Sequence, residues 1–167
     1  MKTDPLRSIE SVTSIDTQLL NALNIKLLVL DFDGVLASHG ESKMRPDIEL
    51  WLQNLAKDYG GENIAFFTNN LFDDRKSYFN NFFPEFTIIE NVAKKPYPDG
   101  LESIAKKKGI LKQQVVLVDD RLLTGMLATC IMGCQGIYIS KPLANFKNRF
   151  VKEAFFASLR IIERFII

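Results

Sequence analysis

The sequence predicts an α/β fold of three layers, a parallel sheet with helices on both faces. Three observations predict it. Short, wholly apolar runs of strand length alternate with stretches of helical period. No repeat, low-complexity tract or Gly/Ser linker breaks this alternation over 167 residues, a length that suits one domain with a real core. Three of the apolar runs also end in small clusters of polar residues. In an open parallel sheet these converge beyond the carboxyl ends of the strands, where ligands bind.

In chain order, residues 1–24 form an N-terminal extension. Its opening, MKTDPLRSIESVTSID, holds acids and polar residues and no apolar core segment, so it does not read as a signal peptide. IKLLVL (25–30), apolar but for Lys26, has the character of a fully buried strand and stops at Asp31. A helical stretch over 47–58 carries Ile48, Trp51, Leu52 and Leu55 at three-to-four spacing, which places Trp51 in the core. IAFF (64–67) is the second strand and stops at Thr68; a helix follows over 71–81. FTIIE (86–90) is a weaker third strand, followed by a helix over 98–108. VVLV (115–118) stops at Asp119, a helix spans 122–133, and GIYI (136–139) is the fifth strand.

The chain ends in FKNRFVKEAFFASLRIIERFII, where Phe146, Phe150, Ala154, Phe155, Leu159, Ile162 and Phe165 recur at three-to-four spacing. Residues 146–165 therefore read as a C-terminal helix. Packing against the sheet is favoured over a membrane-surface role, although Lys147, Arg149, Lys152, Arg160 and Arg164 would suit an anionic lipid. The apolar end, Phe165 to Ile167, offers a surface for a second copy of the chain, a homo-oligomer.

Composition narrows the class. Lys plus Arg number 21 and Asp plus Glu 20, so no bulk electrostatic grip on nucleic acid is expected. Apolar residues make up 47%, which excludes disorder as the default. The two cysteines, Cys130 and Cys134, do not make a disulfide framework or a zinc site and read as buried thiols. No apolar run reaches the roughly 18 residues of a membrane span, so a cytoplasmic location is expected.

The strand ends carry the chemistry. A buried strand ending in Asp31 and Asp33 could be a turn with two solvated acids, but that leaves the matching polar ends of two other strands unexplained. Two carboxylates there point to phosphoryl transfer through an aspartyl-phosphate, with Asp31 attacking phosphorus. Asp33 would protonate the leaving oxygen and later take a proton from the hydrolytic water. Repulsion between Asp31 and the phosphate calls for a divalent cation, and an all-oxygen site suits Mg²⁺. Asp31 and Asp33 would contribute to holding it.

At these residues the sequence resembles the haloacid-dehalogenase-like (HAD) superfamily. The apolar strand with DFDGVL resembles its first motif and FFTNN its second, which implies that Thr68, with the backbone at Asn69, binds a phosphate oxygen. Thr68 and Asn70 are also candidate caps for the helix that follows. VAKKPYPDG resembles the third motif; Lys95, directly before Pro96, is implied as the lysine that neutralises the nucleophile and the phosphoryl group. VVLVDDR resembles the fourth, implying Asp120 as a metal ligand, with Asp119 as an alternative. The resemblance implies a Rossmann-like sheet and phosphomonoester hydrolysis.

The segments SIESVTSIDTQLL, KP and KPLANFKNRF further resemble the YqeG-type subfamily, which includes phosphatidylglycerophosphate phosphatases of bacteria and mitochondria. Two departures stand out. DFDGVL replaces the subfamily's D-x-D-N-T-L, and DDRLLTG replaces G-D-Q-x-x-T-D, so that Gly125 stands where an acid is expected and Asp119 where a glycine is.

The spans from Asp33 to Thr68 and from Asn70 to Lys95 leave no room for a cap domain, only for a short flap around Ala37–Lys43, a helix and a strand. A capless site suits a large or surface-presented phosphorylated substrate, such as a lipid head group at a membrane. A phosphoprotein, a nucleic-acid 3′-phosphate, a sugar phosphate and a non-catalytic binding role are the alternatives. His39, the only histidine, falls in the flap and is expected to be a solvent-exposed loop residue.

Overall fold

The alternation resolves, in chain order, into β1 (Leu6–Ile9), α1 (Thr17–Ala22), β2 (Leu27–Leu30), α2 (Pro46–Tyr59), β3 (Ile64–Phe66), α3 (Asp73–Phe82), β4 (Thr87–Ile88), α4 (Asp99–Lys108), β5 (Val115–Asp119), α5 (Leu127–Met132) and β6 (Gln135–Ile139). The structure is a computed structural model that describes residues 6–145 together with Ala154, Ser158 and Leu159. The strands form one parallel sheet in the order β1-β6-β5-β2-β3-β4. The fold is α/β and Rossmann-like, as the apolar alternation predicts.

Successive side chains of the central strands point to opposite faces, and both faces are covered. Leu28, Leu30, Phe66, Val116 and Val118 pack with Leu52 of α2 and Phe79 of α3 on one side. Leu27, Val29, Ala65, Val115 and Leu117 pack with Leu101 of α4 and Ala128 of α5 on the other. This double burial is why β2 and β5 read as continuous apolar runs rather than alternating ones.

Aromatic rings anchor α3. Phe79 stacks on Phe66 of β3 at 4.0 Å between centroids and meets Phe32, just past β2, edge-on at 5.3 Å. The helix is thereby fixed against the two strands whose ends carry DFD and TNN.

The N-terminal extension departs from expectation, since its residues 6–9 are an edge strand paired with β6 from Leu6↔Gly136 to Ile9↔Ile139. LRSI is mostly exposed and lacks an apolar period, so the sequence carries no strand signal there. The helix expected over 122–133 is split: Leu122–Met126 winds as a π-turn before α5 begins. Trp51 is half-buried rather than core, and its indole N–H donates to the Ile15 carbonyl at 3.0 Å. Of the two thiols, Cys134 is buried as expected and Cys130 is exposed. The expected C-terminal helix falls mostly outside the described residues; Ala154, Ser158 and Leu159 within it are helical.

Candidate active site

β2, β3 and β5 lie side by side, in register at Leu30↔Phe66 and Leu30↔Val118, so their polar ends meet at one sheet edge. Asp31 follows β2 directly, and its backbone N–H still donates to the Val118 carbonyl at 3.0 Å. Thr68 follows β3, Asp119 is the last residue of β5, and Asp120 comes next. Lys95 arrives from the loop before α4. Asp31, Asp33, Thr68, Asn69, Lys95 and Asp120 line one cavity of about 270 Å³. Asp119 lies beside it, under Lys95.

Lys95 is buried, and its ammonium bridges Asp31 Oδ1 at 2.9 Å and Asp119 Oδ2 at 2.5 Å. Burial works against its charge, but the Asp119 and Asp31 carboxylates outweigh it and hold the lysine protonated. Asn69 does not face the cavity alone. Its side chain accepts from Lys95 N at 2.8 Å and donates to Lys95 O at 3.1 Å, clamping the peptide that presents the ammonium. Lys94, beside it, is exposed.

Carboxylate oxygens of Asp31, Asp119 and Asp120 lie within 4.8 Å of one another, and all three residues are buried. The Asp31 carboxyl is pushed up to about 7, first by burial and then by Asp119 and Asp33, against the lowering pull of Lys95. An all-oxygen cluster in which one cation leaves the Asp31 charge undercompensated fits a hard divalent ion such as Mg²⁺. Two glycines make room for these acids. A Cβ on Gly34, which has φ +84°, would sit 2.5 Å from Asp120 Oδ2, and one on Gly125 would sit 2.1 Å from Asp119 Cγ. The π-turn therefore wraps Gly125 against the Asp119 side chain.

Asp33 stands apart from the acid trio. Its Oδ1 accepts from Gly40 N at 2.8 Å and Arg75 Nη2 at 3.0 Å; its Oδ2 accepts from Arg75 Nη1 at 3.0 Å and Asn70 Nδ2 at 3.2 Å. Burial raises its pKa, but the hydrogen bonds and charge of Arg75 prevail and hold it below the usual carboxylate range. Thr68 is not the cap of α3, because Phe72 occupies that position without a side-chain bond. The Thr68 hydroxyl instead accepts from Asn70 N at 3.2 Å and from Arg75 Nη1 at 3.3 Å.

Two residues escaped the sequence reading. His39 is 5% exposed and lines the cavity, so it is not a solvent-exposed loop residue. Arg75 is 0% exposed, although it is a charged residue in the helix after Thr68. A usable signal existed: Tyr78 and Phe79 stand at i+3 and i+4 from it, on the stripe that faces inward.

A family model described as mitochondrial PGP phosphatase matches residues 2–144. The chain belongs to this family. The protein is accordingly a HAD-like phosphatase. No curated protein matches it. Among solved structures it is similar to an uncharacterized protein from Listeria monocytogenes serotype 4b (TM-score 0.56, 11% identity, covering 74% of this chain and 84% of that one). It is also similar to the 3-deoxy-D-manno-octulosonate 8-phosphate phosphatase of Moraxella catarrhalis, solved with magnesium ion, phosphate ion and KDO (TM-score 0.53, 17% identity, covering 89% and 96%). An uncharacterized protein from Corynebacterium glutamicum is a third (TM-score 0.51, 17% identity, covering 81% and 95%). At these identities the structures speak for the shared fold. Within the PGP phosphatase family fold, the three sheet-edge clusters and the lysine loop are what this chain brings to one cavity.

Proposed function

We propose that the protein is a Mg²⁺-dependent phosphomonoesterase acting through an aspartyl-phosphate on Asp31, with phosphatidylglycerophosphate as its first candidate substrate. The convergence of Asp31, Lys95, Thr68 and the acid trio on one open cavity carries this reading. Asp31, Asp119 and Asp120 would hold the ion, which when bound neutralises charge between the nucleophile and the incoming phosphate. Lys95 offers its ammonium to the same charge, and Thr68 donates its hydroxyl proton to a phosphoryl oxygen.

Asp31 would attack phosphorus, forming the acyl-phosphate bond as the ester oxygen departs. Asp33 would protonate that oxygen and then take a proton from the water that cleaves the acyl phosphate. The donors around Asp33 favour its carboxylate form, which suits the second of these tasks as it stands. The first requires Asp33 to gain a proton as the substrate arrives.

The substrate side is supported by a second cavity, about 480 Å³, that shares Thr68, Asn69, Asn70 and Lys94 with the first. Leu71, Phe72, Ile89 and Val92 line it alongside Glu90 and Asn91. This mixed wall suits an amphiphilic leaving group such as the glycerol end of a lipid. Among the described residues no helix is long and apolar enough to cross a membrane, so a lipid substrate would be met at a membrane surface. The reading includes one domain over 1–167, the YqeG-type subfamily, a cytoplasmic or membrane-peripheral location and no sequence-specific nucleic-acid partner.

Asp31→Asn is the test. It should abolish Mg²⁺-dependent hydrolysis while circular dichroism and thermal unfolding stay like wild type. Full turnover by a folded Asp31→Asn protein would overturn the proposal. A panel of phosphatidylglycerophosphate in vesicles, a phosphopeptide, a 3′-phosphorylated oligonucleotide and a sugar phosphate then fixes the substrate class.

A further inference from the structure

Arg75 is a fully buried cation at the site, and the proposed chemistry gives it no role beyond holding Asp33 ionised. Its guanidinium lies between two rings, 4.1 Å from the Phe32 centroid and 4.6 Å from that of Phe72. With both faces covered, only its edges bond. Nη2 donates to Asp33 Oδ1 at 3.0 Å and to the Glu41 carbonyl at 2.6 Å. Nη1, with two protons, donates to the Asn70 carbonyl at 2.7 Å, Asp33 Oδ2 at 3.0 Å and Thr68 Oγ1 at 3.3 Å, one of them shared between two acceptors. One cation thus joins the flap, the strand end with Asp33 and the loop with Thr68.

We infer that Arg75 is a positioning residue that aims the Thr68 hydroxyl at the substrate phosphate. A hydroxyl has two acceptor lone pairs and one proton. At Thr68 both lone pairs are taken, one by Asn70 N and one by Arg75 Nη1. With both lone pairs engaged, the proton can turn into the cavity that Thr68 shares with Asp31 and Lys95, where a phosphate oxygen would accept it. The fork to Asp33 fixes the guanidinium in the orientation that reaches Thr68 and neutralises its charge. Lysine at this position keeps a charge but has no fork and no planar face for the two rings. Arg75 touches no substrate atom on this account; it acts through Thr68.

The inference rests on the phosphatase reading, and a double-mutant cycle between Arg75→Lys and Thr68→Val tests it, with inorganic phosphate as competitive inhibitor of aryl phosphate hydrolysis. Each single variant is expected to weaken phosphate inhibition about tenfold, the scale of one hydrogen bond to an anion. The double variant is expected to weaken it about tenfold as well, because the Arg75 effect passes through the Thr68 hydroxyl. Multiplication to roughly a hundredfold in the double variant, or unchanged phosphate inhibition in Arg75→Lys, overturns it. If Arg75→Lys does not fold, Arg75→Gln replaces it in the cycle. Failure of both to fold makes Arg75 a structural residue and ends the inference. Turnover surviving in Asp31→Asn sinks the phosphatase mechanism itself, whereas an inactive Asp31→Asn with independent Arg75 and Thr68 effects sinks only the role given to Arg75.

Discussion

Gly125 shows how single atoms shape the acidic end of the site. A methyl group there would meet Asp119 Cγ at 2.1 Å, so positions 119 and 125 cannot both carry side chains in this geometry. Gly125→Ala should push Asp119 off Lys95, lower stability by about 1–3 kcal/mol in urea unfolding and weaken Mg²⁺ binding in a calorimetric titration. Asn69 acts at the same scale from the other side, since its two bonds hold the Lys95 peptide. Asn69→Ala should lower kcat/KM by roughly ten- to a hundredfold with little change in melting temperature, checked by steady-state kinetics. The thiols divide as well. Burial pushes Cys134 up to about 12, while Cys130 is exposed. Iodoacetamide at pH 8 should label Cys130 in the native protein and reach Cys134 only after unfolding, as read by mass spectrometry of the peptides.

Among the elements, α3 is the one on which both fold and site depend. Phe79 carries its packing, stacked on Phe66 and set against Phe32, and Arg75 lies one turn earlier on the inward stripe. Phe79→Ala should cost about 3–5 kcal/mol in chemical unfolding and loosen the Arg75 contacts with it. The strands were legible in the sequence because burial on both faces leaves an unbroken apolar run, as at LLVL and VVLV. The strand ends were legible because Asp31, Thr68 and Asp119 interrupt those runs abruptly. β1 was not, since an exposed edge strand has no apolar period to read. The π-turn at Leu122–Met126 was not either, because apolar spacing over 122–133 does not separate one helical winding from another. Arg75 and His39 escaped for a related reason: a polar residue's burial depends on partners such as Asp33 that lie far along the chain.

At the scale of the molecule, one sheet gathers acids from β2 and β5, a hydroxyl from β3 and a lysine from the loop before α4, and among the described residues no inserted domain lies over them. Removal of divalent ions with EDTA should abolish hydrolysis, and restoring Mg²⁺ should recover it together with a rise in melting temperature, since a ligand that binds the folded state stabilises it. A melting temperature indifferent to Mg²⁺ would speak against the acid trio as the ion's seat. The strand at the far edge carries a different consequence. Leu6 pairs with Gly136, so β1 closes nearly the whole length of the chain, whereas β2, β3 and β4 find their neighbours much sooner. Of the described strands β1 is made first and its partner β6 last, so β1 waits for its place until Ile139 has followed. During that interval residues 6–9 are legible to any factor that reads an extended segment, and the sheet completes itself only when they are let go.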